Sequence, residues 1–276
     1  GTIAAAIALA LPMLAAGPPA GAAAARVFLP WVGARADLDP PGRAWGVQLA
    51  LEHYPAYHDG TVAADLARAR SAGLGMVRTF VRWDEIEPSN VGPGDYDWRA
   101  TDARLAPYRD AGAELIVSIV AYPHWATVYR CGYDLRAGMA AEWRAFVRAL
   151  ALRYGGPAWR VVLWEIGNEV DGRTIVRPSD FDPVRRPPGF APGEPTVPIG
   201  GCWGDRASEF VAFHRAAWRE LRLVDPGARV AVGGLAYSPF EDNFVPGFLE
   251  AFLAAGGGPL IDVLSVHWFG GVGYYE

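Results

Sequence analysis

The stretch VVLWEIGNEVDG, Val161 to Gly172, decides how this 276-residue chain is read. A run of strand-forming residues, VVLWEI, stops at Gly167, and an Asn168-Glu169 pair stands where the chain leaves the run for a long polar loop. In a barrel of parallel strands the C-terminal strand ends carry chemistry while the strand bodies fill the core, which makes Glu169 the first candidate for a catalytic group. Taken alone, a glutamate after a strand also reads as a solvated loop residue, so the context on either side has to decide.

That context is rhythmic. Strand-like runs begin at Trp45 (WGVQLAL), Met76 (MVRTFVRW), Glu114 (ELIVSIVAY), Val161 (VVLWEIG), Arg229 (RVAVGGLA) and Ile261 (IDVLSVHWF). Most starts lie about thirty to forty-five residues apart, the length of a βα unit. Between them, Met139, Trp143, Phe146, Val147 and Leu150 form one helical stripe, and Phe210, Phe213, Ala217, Leu221 and Val224 form another. Asp205 is placed to cap the second helix and Pro226-Gly227 to stop it. Alternating strands and helices predict a parallel α/β fold, a (β/α)8 TIM barrel with about six of its βα units present. Six parallel strands leave open edges, so the expectation is a piece of a longer protein. The stretch from Asp171 to Asp205 breaks the rhythm with seven prolines. It reads either as a substrate-holding loop or as a disordered insertion.

Composition removes other classes. The net charge is −5, no basic cluster occurs, and a phosphate-backbone partner has little electrostatic support. All 25 basic residues are arginine, which excludes a Schiff-base or P-loop lysine. The five histidines are scattered, with neither HExxH nor Cys-x-x-Cys spacing, so neither metal nor cofactor is expected. Residues 1–25 form an uncharged, alanine-rich apolar leader broken by Pro12 and lacking a basic start. They read as a clipped secretory signal, with a membrane anchor as the alternative. The expectation is a secreted protein without stable membrane association. A Pro/Gly-rich connector over 26–43 then leads to a catalytic domain over 44–276. In an exported protein Cys131 and Cys202 read as one disulfide, with two free thiols as the alternative.

The strand-end residues resemble glycoside hydrolase clan A, the retaining (β/α)8 glycosidases that include family 5 cellulases, family 39 xylosidases and family 1 β-glucosidases. An Asn-Glu pair closes the clan's fourth strand, and Asn168-Glu169 closes the fourth run here. Arg78 followed five residues later by Trp83 is similar to the clan's second strand. His124-Trp125 matches the rim of the third strand in some members, and His267-Trp268-Phe269 matches the sixth. The resemblance covers about residues 44 to 270. It implies a carbohydrate substrate, with Glu169 as acid/base and a glutamate nucleophile at the end of a seventh strand. Glu276 follows His267 too closely to have crossed a helix and returned, so no residue is assigned as nucleophile.

The chemistry fits these types. Cleaving a glycosidic bond with retention needs a proton donor and a second carboxylate about 5 to 5.5 Å away. Asn168 suits a hydrogen bond to the sugar 2-hydroxyl, though Asn also favours turns. Strict strand alternation would send Asn168 and Glu169 to opposite faces, so both serve only if the strand has ended. Arg78 is expected to point inward and needs a carboxylate partner, which the resemblance implies is the nucleophile. His124 and His267 are candidates for sugar hydroxyls. Trp83, Trp125, Trp203 and Trp268 are candidates for flat contacts with sugar rings. Glu85 and Glu87, after Trp83, read as solvated or structural. Two other readings stay open: a carbohydrate-binding pseudoenzyme, and an inverting hydrolase using Glu52 or Glu85 as partner carboxylate.

Overall fold

The computed structural model describes residues 31–32, 46–48, 62–92, 94–127, 135–172, 203–237 and 244–267. Its centre is a five-stranded, all-parallel sheet ordered β2 (Gly46–Gln48), β3 (Met76–Arg82), β4 (Glu114–Val120), β5 (Val161–Ile166) and β6 (Val230–Val232). Sequential strands are therefore spatial neighbours, as repeated βα crossovers require. Single parallel bridges from Ala231 to Val263 and from Leu235 to Val266 carry the ladder on to a sixth segment. That segment contains β7 (Ser265–Val266), which also pairs antiparallel with β1 (Trp31–Val32). The connector read over 26–43 thus contains a short strand.

The helices are α1 (Val62–Ser71), the one-turn α2 (Trp83–Ile86), α3 (Arg99–Asp110), α4 (Ala140–Tyr154), α5 (Ala207–Val224) and α6 (Phe248–Ala254). Most of both stripes read from the sequence falls on helices and is buried, Trp143, Phe146 and Leu150 in α4 and Phe210, Phe213 and Leu221 in α5, while Met139 precedes α4 and it and Val224 are partly buried. Asp205 does not cap α5. It lies in a 3-10 turn, Gly204–Arg206, and α5 begins after Arg206 with no side-chain cap. At the other end Asp225 N–H closes onto Leu221 O at 2.9 Å, and the Asp225 carboxylate accepts from Gly227 N–H, which turns the chain toward β6.

Because side chains alternate along a strand, each central strand splits its residues between two layers. Val77, Val81, Leu115, Val117, Ile119, Trp164, Ile166, Val230 and Val232 pack with the helices in the main core. The other face holds a smaller apolar group, Ile116, Leu163, Ala231 and Val263. Two residues further along β4, β5 and the sixth segment come Ser118, Glu165 and Ser265, all buried. The opposite face therefore rises from an apolar base to a charged and hydroxylic level, then to the strand ends.

Aromatic packing decides the fate of two candidates. Trp83 is fully buried, stacked on Phe146 at 5.0 Å and edge-on to Trp125 at 5.4 Å. β3 ends at Arg82, and α2 tucks Trp83 under the helical layer, so Trp83 is a core residue rather than a sugar platform. Trp203 is likewise buried, against Phe210 and Phe213. Trp268, Cys131, Cys202 and Glu52 lie outside the described residues.

Candidate active site at the strand ends

The chain ends β5 in a way that brings both halves of the Asn-Glu pair to one place. Gly167 has φ 83° and Glu169 φ 51°, two left-handed residues within three positions. A left-handed non-glycine residue costs about 1 to 2 kcal/mol and persists where its surroundings hold it. Here Gly167 N–H donates to Ile119 O at 3.0 Å, and Glu169 N–H to Gly234 O at 2.9 Å, so the turn is stitched to both neighbouring strands. Strand alternation has stopped by this point. Asn168 and Glu169 each bond to the same rim rather than pointing to opposite faces.

Glu169 Oε1 lies 3.0 Å from His267 Nδ1, with side-chain exposures of 25% and 9%. The carboxyl is therefore reachable from solvent while the imidazole is largely enclosed. His267 N–H donates to Leu235 O at 2.7 Å. Its ring packs closely against Gly234, where a Cβ would stand 2.3 Å from Nε2. Gly234 is thus required by the close approach of the ring.

Beneath this pair, Arg78 Nε donates to Glu165 Oε2 at 2.8 Å, and Arg78 Nη2 bonds both to the same carboxylate and, at 2.8 Å, to Asn168 Oδ1. Ser118 Oγ also donates to Glu165. Arg78 points inward as expected, but its partner is Glu165 on β5 rather than an incoming nucleophile. Burial pushes the Glu165 carboxyl up, yet the Arg78 guanidinium, hydrogen bonds from Ser118 and Ser265, and the nearby His267 outweigh it and hold the group below its ordinary range. Glu165 is the residue the sequence reading missed. The signal was present: Glu165 is the one charge in the fourth run, and its strand position puts it on the face that Arg78 of the second run shares.

Asp171, also buried, accepts from Ala236 N–H at 3.0 Å and from Tyr237 N–H at 2.7 Å, fixing the rim after β6. Burial raises its carboxyl above the ordinary range, the backbone donors partly offset this, and the charge of Glu169 adds to the rise. The ends of the proline-rich insertion meet beside it: Gly204 N–H donates to Gly172 O at 2.9 Å and Trp203 N–H to Val170 O at 3.1 Å. Residues 173–202 of that insertion are outside the described set.

His124 and Trp125 occupy the neighbouring rim after β4, both half-buried. Arg136 Nε donates to His124 O at 2.7 Å, and Trp125 Nε1 donates to Glu87 O at 2.9 Å. Glu87 is not solvated; its side chain is buried and accepts from Trp83 Nε1 at 2.8 Å. Burial pushes it up to about 7, with Glu142 and Asp95 adding to the rise against the Trp83 hydrogen bond. Glu85 pairs with Arg104 at 2.8 Å.

Two open clefts of about 540 and 620 Å³ lie elsewhere, on the outer helical layer around Asp102 and Arg153. Arg153 covers Trp98 at 5.3 Å and Arg109 covers Trp159 at 4.7 Å, so the indole faces there are already occupied. Among the described residues no three His, Cys, Asp or Glu side chains cluster as a metal site. No described helix is long and apolar enough to cross a membrane.

No protein-family profile matches the chain, and a comparison with curated proteins finds no match. Solved structures similar to it include glycosidases. An exo-β-1,4-mannosidase from Opitutaceae bacterium strain TAV5 is 20% identical over 71% of this chain and 31% of its own, with a TM-score of 0.46. A family 39 glycoside hydrolase from Bacteroides cellulosilyticus WH2 is 18% identical over 76% and 36%, with a TM-score of 0.45. A β-galactosidase from the psychrophilic Marinomonas ef1 is 19% identical over 79% and 40%, with a TM-score of 0.45. This chain therefore spans between 31% and 40% of the length of these three structures.

Proposed function

We propose that this chain is the acid/base half of an exported retaining β-glycosidase built on a (β/α)8 barrel and acting on a polysaccharide or its oligomers. The observation that carries the reading is the set Glu169, His267 and Asn168, gathered at the C-terminal ends of parallel strands, with Arg78 reaching Asn168 from within β3 and Glu169 partly open to solvent. Glu169 protonates the departing glycosidic oxygen, then takes a proton from the water that completes the cycle. His267 Nδ1 holds its carboxyl in place, and the Asn168 amide meets a sugar hydroxyl beside the cleaved bond. His124 and Trp125 extend the sugar-binding rim. The nucleophile is a second carboxylate not assigned to any residue of this chain. Glu165 does not take that role, because it is 1% exposed and its Oε2 accepts from both Arg78 and Ser118.

Kinetics of Glu169→Gln in the natural full-length protein test the reading. Hydrolysis of unactivated β-glycosides is expected to fall at least about a thousandfold, and NMR of the first-formed product is expected to show retained configuration. Undiminished turnover removes Glu169 from the mechanism, net inversion removes the double displacement, and sugar binding without hydrolysis in the parent protein identifies a binding scaffold instead.

A further inference from the structure

The buried charge under the site does more than fill the sheet's inner face. We propose that Glu165 is a positioning residue: through Arg78 it fixes the orientation of the Asn168 amide, so that Asn168 offers only donors to the ligand group beside Glu169. The inference rests on the glycosidase reading and adds a residue to it.

The argument is one of donor and acceptor inventory. A guanidinium carries only donors, so an amide contacting it must present its oxygen. Arg78 Nη2 stands 2.8 Å from Asn168 Oδ1, and that contact settles which way the amide faces. The Nδ2 group is left to meet an acceptor, such as the oxygen of a sugar hydroxyl. Arg78 can hold this pose only if its own long side chain is held. Glu165 does so by receiving both Nε and Nη2, and Ser118 Oγ pins the carboxylate from β4. These contacts reach across β3, β4 and β5, and the side chains of Arg78 and Glu165 are 3% and 1% exposed. Water therefore does not compete for the guanidinium. A buried ion pair of this kind is weak evidence for stability but a strong constraint on geometry.

The Arg78 guanidinium and the hydroxyl donors hold the Glu165 carboxyl below its ordinary range, so the pair is one of opposite charges. A neutral side chain would leave the guanidinium free to swing toward Asn168 alone or toward the strand-end carbonyls. With the carboxylate present, two of its three nitrogens are already committed.

The test uses the natural full-length protein and two aryl β-glycosides that differ only in the sugar 2-hydroxyl. Four forms are compared: the parent, Glu165→Gln, Asn168→Ala and the double variant. If Glu165 acts through Asn168, Glu165→Gln lowers kcat on the 2-hydroxy substrate about tenfold to a hundredfold with KM little changed. It lowers turnover of the 2-deoxy substrate less than about threefold, and it adds no further loss to Asn168→Ala. Equal losses on both substrates, or an undiminished loss in the Asn168→Ala background, overturn the proposal. Should Glu165→Gln fail to fold, Ser118→Ala loosens the same carboxylate without changing charge. A smaller but still 2-hydroxyl-selective loss then supports the proposal, and an unselective one or none overturns it. A parent protein that cleaves neither substrate refutes the glycosidase reading itself, and with it this inference.

Discussion

Glu87 supplies a test of the packing that needs no substrate. Its carboxyl is buried beside Trp83, with Oε2 bonded to the indole N–H at 2.8 Å and Oε1 without a hydrogen-bond partner. Glu142 on α4 and Asp95 in the loop after α2 face it with like charge, and Tyr96 beside them is pushed up to about 12, so it stays neutral throughout the range considered. In the unfolded chain the carboxyl ionises near its ordinary 4.5, whereas in the fold it holds its proton to about 7. Below 4.5 both states are protonated and the group's contribution is fully present. As pH rises to about 7 the unfolded state releases its proton first, and folding loses stability until both states are ionised. The interval from 4.5 to about 7 corresponds to about 3 kcal/mol. Screening by the water that reaches exposed Asp95 brings the expectation to about 2 kcal/mol. Glu87→Gln keeps an acceptor for Trp83 and never ionises. Its stability advantage over the parent should therefore grow by about 2 kcal/mol between pH 4.5 and pH 8, or about 4 to 8 °C in Tm. Urea unfolding at pH 4.5, 6 and 8 with unchanged m-values measures it. A difference between the two proteins that does not vary with pH refutes the buried-carboxyl argument.

Two further outcomes follow from single contacts. His214 is fully buried in α5, bonded through Nε2 to Leu260 O at 3.0 Å, and burial holds it down to about 4. Stability is then complete above 6.5 and falls by about 3 kcal/mol as pH drops to about 4, because only the unfolded chain takes up the proton; a His214→Gln variant whose acid limb keeps the same slope contradicts this. Gly234→Ala places a Cβ 2.3 Å from His267 Nε2 and forces the ring off Glu169, so kcat on β-glycosides should drop about tenfold to a hundredfold with native circular dichroism. Unchanged kcat in that variant removes the His267 contact from the mechanism.

The strand bodies were legible because burial on both faces writes continuous apolar runs, and β3, β4 and β5 begin at Met76, Glu114 and Val161, the three starts read from the pattern. The helical stripes were legible for the matching reason: α4 and α5 are wet on one side. What the pattern concealed was local backbone. The positive φ values of Gly167 and Glu169 end the alternation that otherwise separates Asn168 from Glu169, and no hydropathy signal announces them. Trp83 was misplaced because the run RTFVRW gives no sign that β3 stops at Arg82 and that the next residue turns under α4. Asp205 was misplaced because a 3-10 turn intervenes before α5.

The inner face shows why the charges had to be read together rather than one at a time. Along the sixth segment, steps of two lead from Val263 to Ser265 to His267, and along β5 they lead from Leu163 to Glu165 and then to the turn carrying Asn168 and Glu169. Along β4 they lead from Ile116 to Ser118. A side chain two residues beyond an apolar base shares its face and lies about 7 Å further along the strand. The hydroxyls and the carboxylate therefore form one level between the apolar base and the strand ends, and Arg78 reaches into that level from β3. An unpaired charge at this depth would cost several kcal/mol, so Arg78 and Glu165 stand or fall as a pair. β4, β5 and the sixth segment each contribute one member, which makes the level a gauge of sheet register: slipping β5 by one residue would turn Glu165 into the helical core and take it from Arg78. The site residues above inherit their spacing from it.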